Sequence, residues 1–210
     1  MHFLKNIIDT NQPFGICFSG GSDSIAVAHY LKHKNPTLYH FNHKYLKEDD
    51  EIENRAKEAA RDLGLRFVSS QSLNKYIKGS VEDYCRGERY KWFSTIGGNL
   101  ITCHQLSDSC ESYIFNCLRG CPEYIPIPIS STFGVTTIVR PFIITPKKVI
   151  DEYIHHNNLT HLIAHDYLND DIKIMRVWIR KKLLPEIKDR TNIEKVVKKK
   201  YLKKLLDNRD

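Results

Sequence analysis

Hydrophobic and polar residues follow one another along the chain in a pattern typical of buried strands that alternate with amphipathic helices. The apolar run at 13–18 has the length of a buried strand, and apolar residues then recur at helical spacing over 24–34. A strand followed by a helix is predicted three more times. These strands lie at 37–43, 66–69 and 99–103, and the helices at 48–63, 81–96 and 107–118.

Strands and helices in this order predict βαβ units, and therefore a parallel sheet that helices cover on both faces. We expect an α/β fold with a doubly wound parallel sheet over residues 1–140. Prolines and glycines interrupt the pattern after residue 119, which favours a loop and a hairpin at 132–139. A small, mostly helical and basic part is expected at 141–210. Its predicted elements are helices at 146–157 and 171–184, a short strand at 161–164 and a last helix from about residue 192.

The composition is that of an ordinary globular protein. The chain has 210 residues, of which 41% are hydrophobic and 27% charged, and its apolar runs are too short to span a membrane. The amino-terminal segment lacks the pattern of a signal peptide, so we expect a cytoplasmic protein with no membrane contact. The six cysteines form no C-x-x-C pair, which indicates free thiols in a reducing compartment.

The basic residues are concentrated toward the carboxyl end of the chain. The net charge is +7, whereas 173–204 alone contains thirteen basic and three acidic residues, so the remainder is mildly acidic. This distribution is typical of a protein that binds a polyanion from one end, most commonly a nucleic acid. Solubility alone is the alternative. The last helix can also dock its apolar side on the body and leave its lysines as a solvated face.

A glycine turn follows the first predicted strand, at the place where open α/β sheets bind ligands. The string at 19–24 reads Ser-Gly-Gly-Ser-Asp-Ser. Backbone amides at the positive end of a helix, together with the hydroxyls of Ser19 and Ser24, form a nest suited to phosphate. Neither a Walker A motif nor a G-x-G-x-x-G fingerprint is present. A tight turn with a serine or aspartate helix cap is the purely structural alternative.

The same string closely resembles the PP-loop of the N-type ATP pyrophosphatases, which split ATP between its α- and β-phosphates. The resemblance implies the adenine nucleotide alpha hydrolase-like form of the α/β fold. It also implies that the loop holds the pyrophosphate portion of ATP and that Asp23 faces Mg²⁺ or the phosphates. The residues predicted to bind ATP are Ser19, Gly20, Gly21, Ser22, Asp23, Ser24 and His43.

Further strings are similar to those of one family of this superfamily, the tRNA(Ile)-lysidine synthetases, and they occur in the same order. In 103–112, which resembles G-H-H-x-D-D-x-x-E-T, the matching residues include Asp108 and Glu111, whereas Gln105 and Ser107 depart. Asp108 and Glu111 lie at i and i+3 and so share one helix face. The strings at 40–43 and 85–90 resemble H-x-N-H and A-R-x-x-R-Y.

The most specific similarity lies in the basic part of the chain. Arg176 and Arg180 share a helix face, from which both can bind phosphate or carboxylate groups through two hydrogen bonds. The spacing that matches the family is Asp166-x-x-Asn169, then Arg176-x-x-x-Arg180-x-x-x-x-Pro185. The departures in this segment are Tyr167, Leu168 and Val177.

The resemblance implies a ligase that adenylates the wobble cytidine of a tRNA(Ile) with a CAU anticodon and then joins L-lysine to it, giving lysidine. It implies ATP as substrate and Mg²⁺ held by Asp23 and Asp108. Asp108 and Glu111 are expected to attract the lysine ammonium group and to remove its proton. The predicted catalytic residues are Asp23, Asp108, Glu111, Arg140, Arg176 and Arg180. The predicted tRNA-binding residues are Arg86, Arg89, Lys181, Lys182, Lys198 and Lys199.

The resemblance covers the catalytic part of the family and one basic helix, and other functions stay open. One is a PP-loop tRNA thiolase, although such enzymes usually carry paired cysteines. Another is a PP-loop ligase that adenylates a small carboxylic acid. A catalytically silent RNA-binding protein is the alternative outside the enzymes, favoured if the departures at Gln105, Ser107 and Val177 have abolished activity.

Overall fold

The structure is a computed structural model that describes residues 1, 3–74, 76, 79–122, 124–165, 167 and 171–207. The predicted motif residues Asp166, Leu168 and Asn169 lie outside the described residues. Within the described ranges, no helix has the length and hydropathy needed to cross a membrane.

The described strands form one sheet that is parallel except at one edge. They are β1 (Phe14–Cys17), β2 (Thr37–Asn42), β3 (Phe67–Gln71), β4 (Gly98–Ile101), β5 (Ser130–Phe133) and β6 (Thr136–Val139). Their order is β3-β2-β1-β4-β6-β5, with β5 antiparallel to β6 and every other neighbouring pair parallel. The expected doubly wound α/β fold and the expected hairpin are both confirmed.

Helices follow the strands as the polarity pattern predicts. Within the described residues they are α1 (Ser22–Leu31), α2 (Asp49–Asp62), α3 (Val81–Phe93), α4 (Leu106–Leu118), α5 (Lys147–His156), α6 (Met175–Trp178), α7 (Leu184–Arg190) and α8 (Ile193–Asp207). The hydrophobic cluster that contains the buried side chains of α1 also includes side chains of α2 and α5. The predicted division of the chain at residue 140 stays a prediction.

The last two side chains of β4 are apolar and buried on opposite faces of the sheet. Leu100 packs in a cluster with Tyr90 and Phe93 of α3, whereas Ile101 belongs to the core that contains Ile25 of α1. Adjacent residues of a strand point to opposite faces, so the sheet has α3 on one face and α1 on the other. Because β1, β2 and β4 are parallel, the loops that follow them lie at one edge of the sheet.

The short strand predicted at 161–164 is wrong. The chain instead forms a 3-10 turn, Thr160–Leu162, in which Leu162 is buried. The N–H of Ala164 then donates to the carbonyl oxygen of Gly20 at 2.9 Å. A short apolar run does not by itself distinguish a strand from a buried turn. Here the run supports the glycine turn and does not extend the sheet.

The helix predicted at 171–184 has different bounds in the structure. It begins at Met175 and passes through a π-helical turn, Ile179–Leu183, into α7. Pro185 explains the wide turn, because proline has no N–H for the carbonyl group one turn earlier and its ring would clash with that carbonyl. The wide turn contains Arg180.

The last helix, α8, docks on the body through one face. Ile193, Val197 and Tyr201 are buried in a core that they share with α4. The Tyr201 hydroxyl donates to the carbonyl oxygen of Ile127 at 2.8 Å and lies 3.1 Å from the Ser109 hydroxyl. The sequence left open whether the apolar side of the last helix docks on the body, and in the structure it does.

Tyr201→Phe should lower the free energy of unfolding by about 1–2 kcal/mol, because it removes the interior partner of the Ile127 backbone. Tyr124→Phe is a matched control, since Tyr124 is 49% exposed, and it should change stability by less than about 0.5 kcal/mol. Urea unfolding of both variants measures the difference. A Tyr201→Phe variant as stable as the wild type would contradict the docked position of α8.

Candidate active site

A cavity of about 1130 Å³ opens at the carboxyl ends of β1, β2 and β4. Open α/β sheets bind their ligands at this edge. The predicted site residues that line it are Ser19, Gly21, Ser22, Asp23, Ser24, His43, Arg86, Arg89, Asp108, Arg176 and Arg180. The predicted residues that do not line it are Gly20, Glu111, Arg140, Lys181, Lys182, Lys198 and Lys199.

The glycine turn is shaped by its own serines. Gly20 has a φ of +84°, and a Cβ atom there would lie 3.2 Å from the Ala164 methyl group. The Ser24 hydroxyl accepts from the N–H of Gly20 at 3.1 Å and donates to the carbonyl oxygen of Gly21 at 2.9 Å. The Ser24 hydroxyl therefore fixes the conformation of the loop. The N–H groups in the first turn of α1 have no partner within the helix and are able to bind an anion.

Lys147 is a site residue that the sequence reasoning missed. Its ammonium group lies 2.6 Å from Asp23 Oδ1, 3.3 Å from Asp151 Oδ1, and donates to the Ser22 hydroxyl at 2.8 Å. Burial lowers the pKa of Lys147, but the charges of Asp23 and Asp151 and the hydrogen bonds to both outweigh burial together, so the pKa is raised. The sequence did contain one signal for this residue. Lys147 is the first residue of α5, directly after Pro146. A cation at a helix amino terminus is unfavourable next to the positive end of the helix dipole, which indicates that an acidic partner lies nearby.

Asp108 lines the same cavity as Asp23. Burial raises the pKa of Asp108 to about 7, and the negative charge of Asp23 adds to the increase. Asp108 Oδ2 also accepts from the N–H of Gln105 at 2.8 Å, while Gln105 Oε1 accepts from the N–H of Ser107 at 2.7 Å. The departure from the family at Gln105 thus supplies a helix cap for α4.

The donor set at the loop suits Mg²⁺ in the presence of phosphate. Among the residues that the structure describes, no three His, Cys, Asp or Glu side chains form a metal-binding group. Mg²⁺ is commonly held by one or two carboxylates together with substrate phosphates and water. Asp23 and Asp108 provide two carboxylates whose charges already repel one another.

Glu111 is a buried partner of two arginines. Its side chain is 5% exposed, with Oε1 3.1 Å from Arg176 Nη1 and Oε2 2.8 Å from Arg180 Nε. Arg176 also pairs with Glu82, with 2.7 Å between Arg176 Nε and Glu82 Oε1. The Arg176 guanidinium lies 4.3 Å from the centre of the Phe115 ring. This arrangement differs from the expected role in deprotonating an amine, because two guanidinium groups already neutralise the carboxylate. Glu111 is placed to orient the arginines.

Arg140 lies in the interior and does not reach the cavity. It is 2% exposed, and its Nη1 donates to the carbonyl oxygen of Pro128 at 2.9 Å and to the Ser131 hydroxyl at 3.3 Å. The arginine therefore fixes the segment that leads into β5. Its charge still acts on the site, since it follows burial among the causes that lower the pKa of His104 to about 3.

Glu111→Ala should lower the free energy of unfolding by roughly 2–3 kcal/mol, because it leaves guanidinium charge without its buried partner. Glu82→Ala is the matched control, since Glu82 also pairs with Arg176 but its side chain is 46% exposed, and it should cost less than about 1 kcal/mol. Thermal or urea unfolding measures both variants. Equal losses would show that Glu111 does not hold the arginines.

This chain is similar to known proteins in sequence and in fold. The tRNA(Ile)-lysidine synthase of Buchnera aphidicola subsp. Schizaphis graminum is 28% identical over 201 residues, which cover 89% of this chain and 44% of that protein. The synthase of Persephonella marina is 29% identical over 199 residues, covering 87% and 43%. This chain thus spans less than half the length of these relatives.

Among solved structures, the U34-tRNA thiolase NcsA from Methanococcus maripaludis with its [4Fe-4S] cluster has a TM-score of 0.76 at 13% identity. The superposition covers 98% of this chain and 75% of that one, and at this identity it shows the fold alone. A family model described as a PP-loop domain matches residues 1–187. Since that match includes the glycine turn and nearly all of the cavity lining, the chain belongs to the PP-loop domain family.

Proposed function

We propose that this chain carries the catalytic activity of a tRNA(Ile)-lysidine synthetase. It joins L-lysine to the wobble cytidine of a tRNA with a CAU anticodon and converts ATP to AMP and pyrophosphate. The observation that carries the proposal is the grouping of Lys147, Asp23 and Asp108 around the amino terminus of α1, beside a cavity large enough for a nucleotide and a second substrate. The named relatives support the choice of substrates.

The first step places charge on phosphate oxygens and on the departing pyrophosphate. The N–H groups at the start of α1 and the ammonium of Lys147 are positioned to bind the outer two phosphates of ATP. Arg176 and Arg180 line the same cavity and can face the α-phosphate. Mg²⁺, when bound by Asp23 and Asp108, would neutralise charge on the phosphate oxygens.

The second step needs a carboxylate that attracts the lysine ammonium group and accepts its proton, because a free lysine amine has a pKa of about 10.4 and must lose a proton before it can attack. Of the two carboxylates suggested by the sequence, Asp108 lines the cavity, whereas Glu111 is paired with arginines. We therefore assign both the attraction of the ammonium and the acceptance of its proton to Asp108. Glu111 keeps the guanidinium groups in place during both steps.

The tRNA lies along the basic carboxyl-terminal part in this proposal. Lys181, Lys182 and Lys199 are exposed, as phosphate contacts require. Arg86 and Arg89 line the cavity, so any contact with tRNA is made to the nucleotide that enters it. A cytoplasmic location, where tRNA, ATP and lysine are available, stays a prediction.

Labelled lysine, ATP and a CAU-anticodon tRNA transcript, followed by nucleoside analysis, test the proposal. We expect lysidine with the wild type and none with Asp23→Ala, which removes a carboxylate from the loop. Asp151→Ala is the matched control, since Asp151 also pairs with Lys147 but is 48% exposed, and it should retain most of the activity. Pyrophosphate release that depends on a small acid, or a thiolated nucleoside, would contradict the proposal.

A further inference from the structure

Most of the cations that line the cavity already have an acidic partner. Lys147 pairs with Asp23, and Arg176 and Arg180 pair with Glu111. Lys188 pairs with Glu194. The two remaining arginines in the lining, Arg86 and Arg89, form no ion pair with any residue that the structure describes. Neither guanidinium is therefore held by a carboxylate at salt-bridge distance, and the charge of Arg86 acts on Glu82 in the same lining.

Arg89 is the inner one of these two arginines. It is half-buried on α3, and its charge acts on Cys17, His43 and His104, which follow or end the three adjacent strands β1, β2 and β4. Arg86 lies one turn earlier, is exposed, and has its guanidinium 4.6 Å from the centre of the Tyr90 ring. Arg89 thus lies over the floor of the cavity and Arg86 near its rim.

The three groups on which the charge of Arg89 acts are electrically neutral. Burial, followed by the arginine charges, lowers the pKa of His43 and of His104 to about 3. Burial likewise raises the pKa of the Cys17 thiol to about 12. The Nδ1 atom of His43 is buried and has no hydrogen-bond partner. A guanidinium among neutral polar groups in a partly buried cavity attracts an anion that supplies acceptor oxygens.

The proposed reaction brings two kinds of anion to the cavity. In the proposed function, the phosphates of ATP are bound by the start of α1 and Lys147. The second anion is the carboxylate of the amino-acid substrate, whose planar oxygens match the guanidinium fork. We infer that Arg89, with the imidazole of His43 beside it, binds the α-carboxylate of lysine and so selects an amino acid over a simple amine. This inference rests on the proposed function.

A comparison of L-lysine with 1,5-diaminopentane tests the inference, because the diamine has the same amino groups and lacks only the carboxylate. The ratio of kcat/KM for the two amines is measured on one preparation of each variant. Any loss of correctly folded protein affects both values equally and cancels in the ratio. We expect the wild type to prefer lysine by about 10- to 100-fold, the range of a charged hydrogen-bonded contact.

Arg89→Met should reduce this preference to within about 3-fold, and Arg89→Lys should restore part of it, because a lysine keeps the charge without the fork. Arg86→Met is the matched control and should keep the wild-type preference. An Arg89→Met variant that still prefers lysine as the wild type does, or a wild type with no preference, overturns this inference alone. A wild type that modifies the tRNA with neither amine overturns the proposed function and this inference with it.

Discussion

The ion pair between Lys147 and Asp23 is the contact on which the site depends. It joins the first turn of α1 to the start of α5, two helices that are far apart in the chain but pack in one core. With side chains 34% and 29% exposed, the pair contributes little to stability through its charges alone. The ion pair matters for position instead, because it holds an ammonium group beside the free N–H groups of a helix terminus. A polyphosphate bound there can replace Asp23 as the partner of that ammonium group.

The sheet order explains why the other groups meet at the same place. The chain leaves β1 toward β2 on one side and β4 lies on the other, so the loops after these three strands surround one cavity. Asp108 and His104 follow β4, His43 follows β2, and the glycine turn follows β1. α3 then covers the cavity and contributes Arg89. The buried Glu111 fixes the arginines of the carboxyl-terminal part against the same edge.

Local patterns predicted most of the fold and the position of the loop, because strand length, helical spacing and the string at 19–24 are local properties. They failed where the local conformation or the pairing of a side chain depends on a residue far away in the sequence. The run at 161–164 became a turn because its backbone supports Gly20, and the helix near Arg180 widened ahead of Pro185. Lys147 meets Asp23 across 124 positions, and Glu111 meets Arg180 across 69, so no local pattern shows either pairing. The chemical roles of the site residues stay predictions.

Calorimetric titration of ATP into the Lys147→Met and Lys148→Met variants measures whether Lys147 binds the phosphates. Lys148 is the neighbouring lysine, its side chain is 87% exposed, and its ammonium group lies 3.8 Å from Glu152 Oε1. We expect Lys147→Met to bind ATP about 10- to 100-fold more weakly than the wild type, and Lys148→Met to bind it as tightly as the wild type. Wild-type ATP affinity in Lys147→Met would contradict the claim that this ammonium and the glycine turn together hold the phosphates.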